Sequence, residues 1–393
     1  LRGFGATGTG VVRPTFSAPD MASRRWLRDR MEDAGLDSFI DGVGNVIGRS
    51  RNPGPALIIG SHSDTQPEGG WLDGAMGVIY AIEIARTLAE NAATSQLAVD
   101  AVAWSDEEAT YTSCLGSNSF VDTLTKGDLA NTNDAGESVG EAVARVGLAS
   151  TPRARLEPLR HIGYLEAHIE QGPHLHESGH RIGIVTEIVG IRGFHVSFVG
   201  EQNHAGTTPM ARRKDAGVAM FEFGVVVQKR LSAAAGPASV WTIGDARLEP
   251  GAESIIPGFA ELKLQFRDPS DSTLDTMAAA VVELALELDA RGPVQVTATP
   301  SRELIAPTVM DDDLRRHLCL VAQGRVPGSW VEMPSAAGHD PMVLSEHIRC
   351  AMLFIPSIAG ISHDFAEDSN HDDIVMGCRV LGDAAVSILS EHS

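Results

Sequence analysis

Two short runs in this chain carry no alternating polar face. Residues 56–60 (ALIIG) are wholly apolar, and residues 97–104 (LAVDAVAW) are interrupted only by Asp100. A strand with one wet side alternates; a continuous apolar run is expected where both faces are buried, as in a parallel sheet covered by helices. Between the two runs, AMGVIYAIEIARTLAE (75–90) reads as a helix. Upstream, residues 20–35 read as an amphipathic helix with Asp20 as N-cap and Gly35 as its stop. A further helix is expected near 115–125. This strand–helix–strand alternation argues for an open α/β sheet.

The texture changes near residue 189. In FHVSFVG, Phe194, Val196 and Phe198 alternate with His195 and Ser197, which predicts a half-exposed antiparallel strand. A helix over 214–231 and a second alternating stretch, ELKLQFRD at 261–268, follow. The buried-strand signature returns at 349–355 (RCAMLFI). The simplest organisation is a discontinuous main domain, 1–188 with 301–393, interrupted by a smaller α+β sandwich at 189–300. No internal repeat or low-complexity tract is evident.

Length and composition agree with this. A chain of 393 residues with 43% hydrophobic and 21% charged residues suits a globular protein of roughly two or three domains with a sizeable core. The formal net charge of −21 repels phosphate backbones and anionic lipid, so neither nucleic acid nor membrane is expected as a partner. Cys114, Cys319, Cys350 and Cys378 are scattered, with no CxxC pair, which favours a reducing cytoplasm over a disulfide framework. No apolar run reaches membrane-spanning length and no signal-peptide pattern is present. The chain opens at Leu1 rather than methionine, from which a missing natural start is expected.

The chemistry-bearing residues cluster after the expected buried strands. His62 and Asp64 (GSHSDT) follow ALIIG, where open α/β sheets place their ligand crevice. Asp64 is placed to orient the His62 ring, as carboxylates do for metal-bound histidines. Asp73 precedes Gly74 at the start of the next helix, and an N-cap role is the simpler alternative for it. SDEE (105–108) ends the second strand, where consecutive acids need either solvent or cations. His168 lies in YLEAHIEQGP and His363 in GISHDFAED, after RCAMLFI. Imidazole with carboxylate suits zinc, manganese, cobalt or nickel. One zinc needs about three protein ligands. Five candidates, with an aspartate able to bridge, fit two cations roughly 3.5–4 Å apart. One of Glu107 and Glu108 can then ligate while the other stays free as a general base.

Other signals are weaker. GFGATG at 3–8 matches a dinucleotide fingerprint only formally, with no strand before it. No phosphate-loop motif is present. Cys114 lacks an adjacent histidine, and His174, His176 and His180 read as a solvent-exposed connection.

The ordered blocks GSHSDTQPEGGWLDGAMGV, SDEE, EAHIEQGP, GEQNHAGTTPMARRKDA, IIPG with FRDP, AAGHD and GISH resemble those of the di-metal amidases of the M20 peptidase superfamily, over nearly the whole chain. Within that superfamily they look like the hydantoinase/carbamoylase branch of N-carbamoyl-L-amino-acid hydrolases, allantoate amidohydrolases and β-ureidopropionases. The resemblance implies a di-metal exopeptidase-like catalytic domain with an inserted lid and dimerisation domain. It implies that His62 and His168 hold one metal, Glu108 and His363 the other, and that Asp73 bridges. Glu107 would be the general base and Asp64 the support of His62. His204 of HAGTTPM would stabilise an oxyanion in the partner subunit's site, and Arg267 would bind a substrate carboxylate. Gln171 and His339 would line the pocket. The expected substrate is an N-carbamoyl or related N-acyl amino acid; a dipeptidase, a deacylase or a non-catalytic ligand binder are the alternatives. Two departures bear on substrate choice: Ser254 stands where the family usually has asparagine, and Ala336 where it has glycine.

Overall fold

The computed structural model describes residues 1–301 and 304–392. They form two compact units, residues 1–186 with 309–393 and residues 187–308. The second runs past the 189–300 span of the periodicity reading, because Ile305 exchanges main-chain hydrogen bonds with Ile191.

In chain order the main elements are α1 (Ala18–Asp33), β1 (Asp37–Ile40), β2 (Val46–Arg49), β3 (Ala56–His62), α2 (Ala75–Glu90), β4 (Ala98–Trp104), α3 (Leu115–Phe120), β5 (His161–Ile169), β6 (Ile182–Ile188), β7 (Gly190–Val199), α4 (Ala216–Ala234), β8 (Val240–Glu249), β9 (Phe259–Asp268), α5 (Asp271–Arg291), β10 (Gln295–Pro300), β11 (Thr308–Val309), α6 (Asp312–Arg325), β12 (Trp330–Ser335), β13 (Cys350–Ile355) and α7 (His371–Glu391). The first unit is an α/β fold on a sheet of order β11-β6-β13-β5-β3-β4-β2-β1, with β12 also pairing β6. Its middle, β13-β5-β3-β4, is parallel, and antiparallel strands flank it on both sides. Every residue of β3, β4 and β13 is buried, as the continuous apolar runs predict. The apolar residues of α2 and α7, among them Val78, Ile82, Leu381 and Ile388, share one core with those strands.

Two local expectations need correction. The N-cap of α1 is Ser17, whose side chain accepts from the Asp20 N–H. Asp20 lies inside the first turn, fully buried, where its carboxylate accepts from the Phe16 N–H and from Arg24 Nε, both at 2.8 Å. The helix expected over 115–125 stops at Phe120, and Asp122 turns the chain away with a left-handed φ of 66°.

The polar interruption in LAVDAVAW is a buried ion pair. Asp100 Oδ1 and Oδ2 accept from Arg160 at 2.7 and 2.9 Å, and His161 Nε2 lies 3.1 Å from Oδ2. Burial alone would raise the Asp100 pKa, but Arg160 and His161 outweigh it and hold it below 3.8. A depressed carboxylate pKa contributes stability that is present above the unfolded value and lost as pH falls through the folded one. Asp100→Asn, which strands a buried guanidinium, is expected to cost about 3–5 kcal/mol at pH 7. The gap to wild type should narrow below about pH 4. Thermal melts of both proteins from pH 3 to 7 check this; a gap independent of pH would overturn it.

The second unit is a four-stranded antiparallel sheet of order β8-β9-β7-β10. Phe194, Val196 and Phe198 of β7 point into a core with Met220, Phe223 and Val227 of α4 and Met277 and Val281 of α5. The two-residue alternation thus reports one sheet face packed against two helices. No described helix is long and apolar enough to cross a membrane.

Candidate metal centre

Four adjacent parallel strands deliver polar residues to one place in the first unit. His62 is the last residue of β3, His168 the penultimate residue of β5, Glu107 and Glu108 follow β4, and His363 follows β13. Asp73 lies at the centre. Its Oδ1 is 3.0 Å from His168 Nε2 and 3.6 Å from His62 Nε2, and its Oδ2 is 3.3 Å from His363 Nε2. Glu108 Oε1 stands 3.6 Å from His363 Nε2, and Glu107 Oε2 stands 3.8 Å from His62 Nε2.

Asp73 is not a helix cap. The N-cap of α2 is Gly74, and no side chain caps that helix end. Gly74 adopts φ +60°, and a Cβ there would lie 2.4 Å from His62 Nε2. Only glycine lets the backbone beside Asp73 press this close to the histidine.

Both buried histidines are oriented from behind by carbonyls. His62 Nδ1 lies 3.1 Å from the Asp64 carbonyl, and His168 Nδ1 lies 2.9 Å from the Ile169 carbonyl. Each Nδ1 therefore donates; His62 Nε2 is left to take a proton or a cation, while His168 Nε2, 3.0 Å from Asp73 Oδ1, also accepts from the Gly74 N–H at 3.0 Å. The support expected from the Asp64 carboxylate thus comes from its main chain instead. Its Oδ2 accepts from the Glu108 N–H at 3.3 Å, and Oδ1 lies 3.8 Å from the buried guanidinium of Arg24. The first acid after Ser105 is also turned away: Asp106, with φ 56°, accepts from the N–H groups of Thr110, Tyr111 and Thr112.

The electrostatics are those of a pocket short of positive charge. Burial pushes the Glu107 carboxyl well above its usual range, with His62 opposing. Burial and Asp73 push Glu108 up to about 7. Burial would lower His62, but Asp73 and Glu107 outweigh it and hold the ring well above its ordinary value. Asp73 raises His363 to about 9. Burial drives His339 well below the ordinary value, so its ring is neutral; it packs against His168 with ring centroids 4.6 Å apart.

The remaining expected residues divide between the units. Gln171, with φ 58°, places Nε2 3.3 Å from Asp73 Oδ2 and 3.2 Å from His363 Nε2. His204, Ser254 and Arg267 belong to the second unit. His204 Nδ1 accepts from the N–H groups of Gly206 (3.0 Å) and Thr207 (3.2 Å), which leaves Nε2 as the donating nitrogen. The Ser254 carbonyl accepts from the Ala205 N–H and steadies that turn. Arg267 lies on β9 and donates from Nε to Gln265.

Sequence reasoning missed several supports. Gln66 Nε2 donates to Glu108 Oε2 at 2.7 Å. Glu166 is buried beneath the two histidines and accepts from Ser61 and Tyr164. Glu367 accepts from the N–H groups of Leu72 and Asp73. Only Glu166 carried a signal, as a charged residue inside a buried strand.

Residues 58–387 match the model of peptidase family M20/M25/M40. The chain belongs to this family. Among M20/M25/M40 relatives, it is 32% identical to an N-carbamoyl-L-amino-acid amidohydrolase of Paenarthrobacter aurescens, over 97% of this chain and 94% of that protein. It is 30% identical to an allantoate amidohydrolase of Escherichia coli, with the same shares covered. A crystal structure of an amidase of the hydantoinase/carbamoylase family from Burkholderia phymatum superposes with a TM-score of 0.94 at 49% identity, covering 99% of this chain and 95% of that one.

The residues fit the divalent cations that the M20/M25/M40 family implies. Donor atoms of His62, Asp73 and His168 lie within 4.8 Å of one another, as do those of Asp73, Glu108 and His363. Asp73 Oδ1 and Glu108 Oε1 are buried and make no well-directed hydrogen bond among the described residues. Two imidazole nitrogens, each fixed from behind, face a carboxylate that has an oxygen for each group. A cation satisfies that arrangement better than protons do.

Proposed function

We propose that the chain is a metal-dependent amidohydrolase that cleaves the linear C–N bond of an N-carbamoyl or related N-acyl amino acid. The observation that carries this reading is the division of labour around Asp73. Two candidate ligand sets share that carboxylate and neither includes Glu107, which lies beside them and falls only in a third set, with His62 and Glu108. The names of the relatives, amidohydrolases of carbamoyl amino acids and of allantoate, support the ureido class.

In this reading His62, His168 and Asp73 hold one ion, and Asp73, Glu108 and His363 hold the other. When bound, such ions act as Lewis acids that make water acidic near neutral pH and polarise a carbonyl. Glu107 accepts the proton of the attacking water at its carboxylate and returns it to the departing nitrogen as the C–N bond breaks. Its burial, which raises its affinity for a proton, suits it to hold one between the two steps. His204 serves the partner subunit's site, where its Nε2 donates to the carbonyl oxygen as charge develops. Gln171 and His339 shape the pocket beside the donor atoms, and the family resemblance gives Arg267 the substrate carboxylate and Ser254 a part in substrate choice. Asp64 acts only through the residues it positions. A ureido substrate and water yield the amine, ammonia and carbon dioxide.

The reading includes a homodimer in a reducing cytoplasm. Val218, Phe221 and Val225 form an exposed apolar stripe on α4, which supports a self-pairing surface. The four cysteines are free. The deciding experiment supplies N-carbamoyl, N-acetyl and dipeptide substrates to protein reconstituted with zinc, manganese, cobalt or nickel. Ammonia release from N-carbamoyl amino acids is expected. Turnover of dipeptides alone would make the chain a peptidase, and no turnover by the metal-loaded protein would make it a binder.

A further inference from the structure

The loop that carries His363 is tied to the loop that carries Asp73 by one buried side chain. Glu367 is 2% exposed. Its Oε1 accepts from the N–H groups of Leu72 (3.2 Å) and Asp73 (3.0 Å), and its Oε2 accepts from Ser362 Oγ at 3.0 Å. It therefore grips the main chain of Asp73 on one side and the residue next to His363 on the other.

Both loops are shaped for this grip. A Cβ at Gly70 would stand 1.9 Å from Glu367 Oε1, so the approach of the carboxylate requires glycine there. His363 adopts φ 53°, a left-handed conformation that a non-glycine residue keeps only where its surroundings hold it. The far side of the loop is also anchored. Thr9 Oγ1 donates to the Phe365 carbonyl at 2.5 Å, and Ser369 Oγ donates to the Pro356 carbonyl at 2.8 Å. With those ends fixed, Glu367 sets the position of His363 relative to Asp73.

We propose that Glu367 is a positioning residue that fixes the spacing of Asp73 and His363, and so tunes the fit of the ion those two residues share with Glu108. The inference rests on the two-ion reading above. Glu367 touches neither ion nor substrate; it acts through main-chain groups. The ion held by His62, His168 and Asp73 depends on it less, because both of those histidines are fixed by carbonyls of their own strands and loops.

The test uses metal-free protein titrated with Zn²⁺ against a chromophoric chelator, with melting of the metal-free form measured alongside. Glu367→Asp keeps the charge but withdraws the carboxylate by one methylene. It is expected to weaken one of two ions about 10–100-fold, the range for partners that orient metal ligands. The other ion should stay within about threefold of wild type. Glu367→Gln keeps the reach: its oxygen accepts from the two N–H groups and its NH₂ donates to Ser362. It should restore two-ion binding to within about threefold of wild type. Wild-type affinity in Glu367→Asp overturns the proposal, as does equal weakening of both ions, which marks a general loosening. Glu367→Gln as damaging as Glu367→Asp overturns it too, since charge rather than reach would then matter. A wild-type protein that takes up fewer than two ions overturns the two-ion reading itself.

Discussion

Glu107→Gln is expected to lower kcat by about 10²–10⁴-fold, the usual contribution of a positioned general base. That corresponds to roughly 3–5 kcal/mol of transition-state stabilisation. The replacement is isosteric, so the pocket keeps its shape and loses only the proton acceptor. Zinc content should remain at the wild-type level, because the two ligand sets that share Asp73 do not include Glu107. The donor atoms of His62, Glu107 and Glu108 also lie within 4.8 Å of one another, however, so a ligand role for Glu107 is the competing account. Turnover and metal content measured on the same preparation separate the two. Loss of an ion along with activity assigns Glu107 as a ligand; full turnover with full metal content removes it from the chemistry.

Asp73→Asn should do more harm to metal binding than any other single change. The carboxylate offers one oxygen to the His62 and His168 side and the other to the His363 side. An amide has one weaker acceptor and a pair of donors, which would face imidazole nitrogens or a cation. Removing a partner that merely orients a ligand costs about 10–100-fold in affinity. A shared ligand should cost at least about 100-fold for both ions, and turnover should fall with them. The metal-free protein should also lose a source of stability. Burial would raise the Asp73 pKa, but His168, His363 and His62 hold it well below 3.8. Its contribution is therefore complete above about pH 4 and fades as acid protonates it. Equilibrium dialysis with Zn²⁺ provides the check; an Asp73→Asn protein that still binds two ions tightly would remove Asp73 from its bridging role.

The parts of this molecule that could be read from sequence are those where burial acts on a whole segment. β3 and β13 are continuous apolar runs because water reaches neither face, and β7 alternates because one of its faces packs on helices. His62, Glu108 and His363 could be read because each follows such a run, whereas the bridging role of Asp73 came only from the family resemblance. The rest depended on pairings that leave no periodic trace. Glu367 meets Asp73 across 294 residues of sequence, and Gln66 meets Glu108 across 42. Asp106 looks like a third acid for cations until its left-handed backbone turns it toward its own loop. Asp64 sits where a supporting carboxylate belongs, yet its carbonyl has the shorter path to the His62 ring. Nothing in a string of letters separates a side chain from the peptide group that carries it.

The order of the central strands has a consequence for how the protein is made. β13, which leads to His363, lies directly beside β5, which carries His168, but the whole 187–308 unit is translated between them. At about 5–20 residues per second, tens of seconds separate the synthesis of those two histidines. During that interval a nascent chain displays His62, Asp73 and His168 with one edge of β5 still awaiting its neighbour. The set of His62, Asp73 and His168 is therefore synthesised well before His363 completes the set with Asp73 and Glu108.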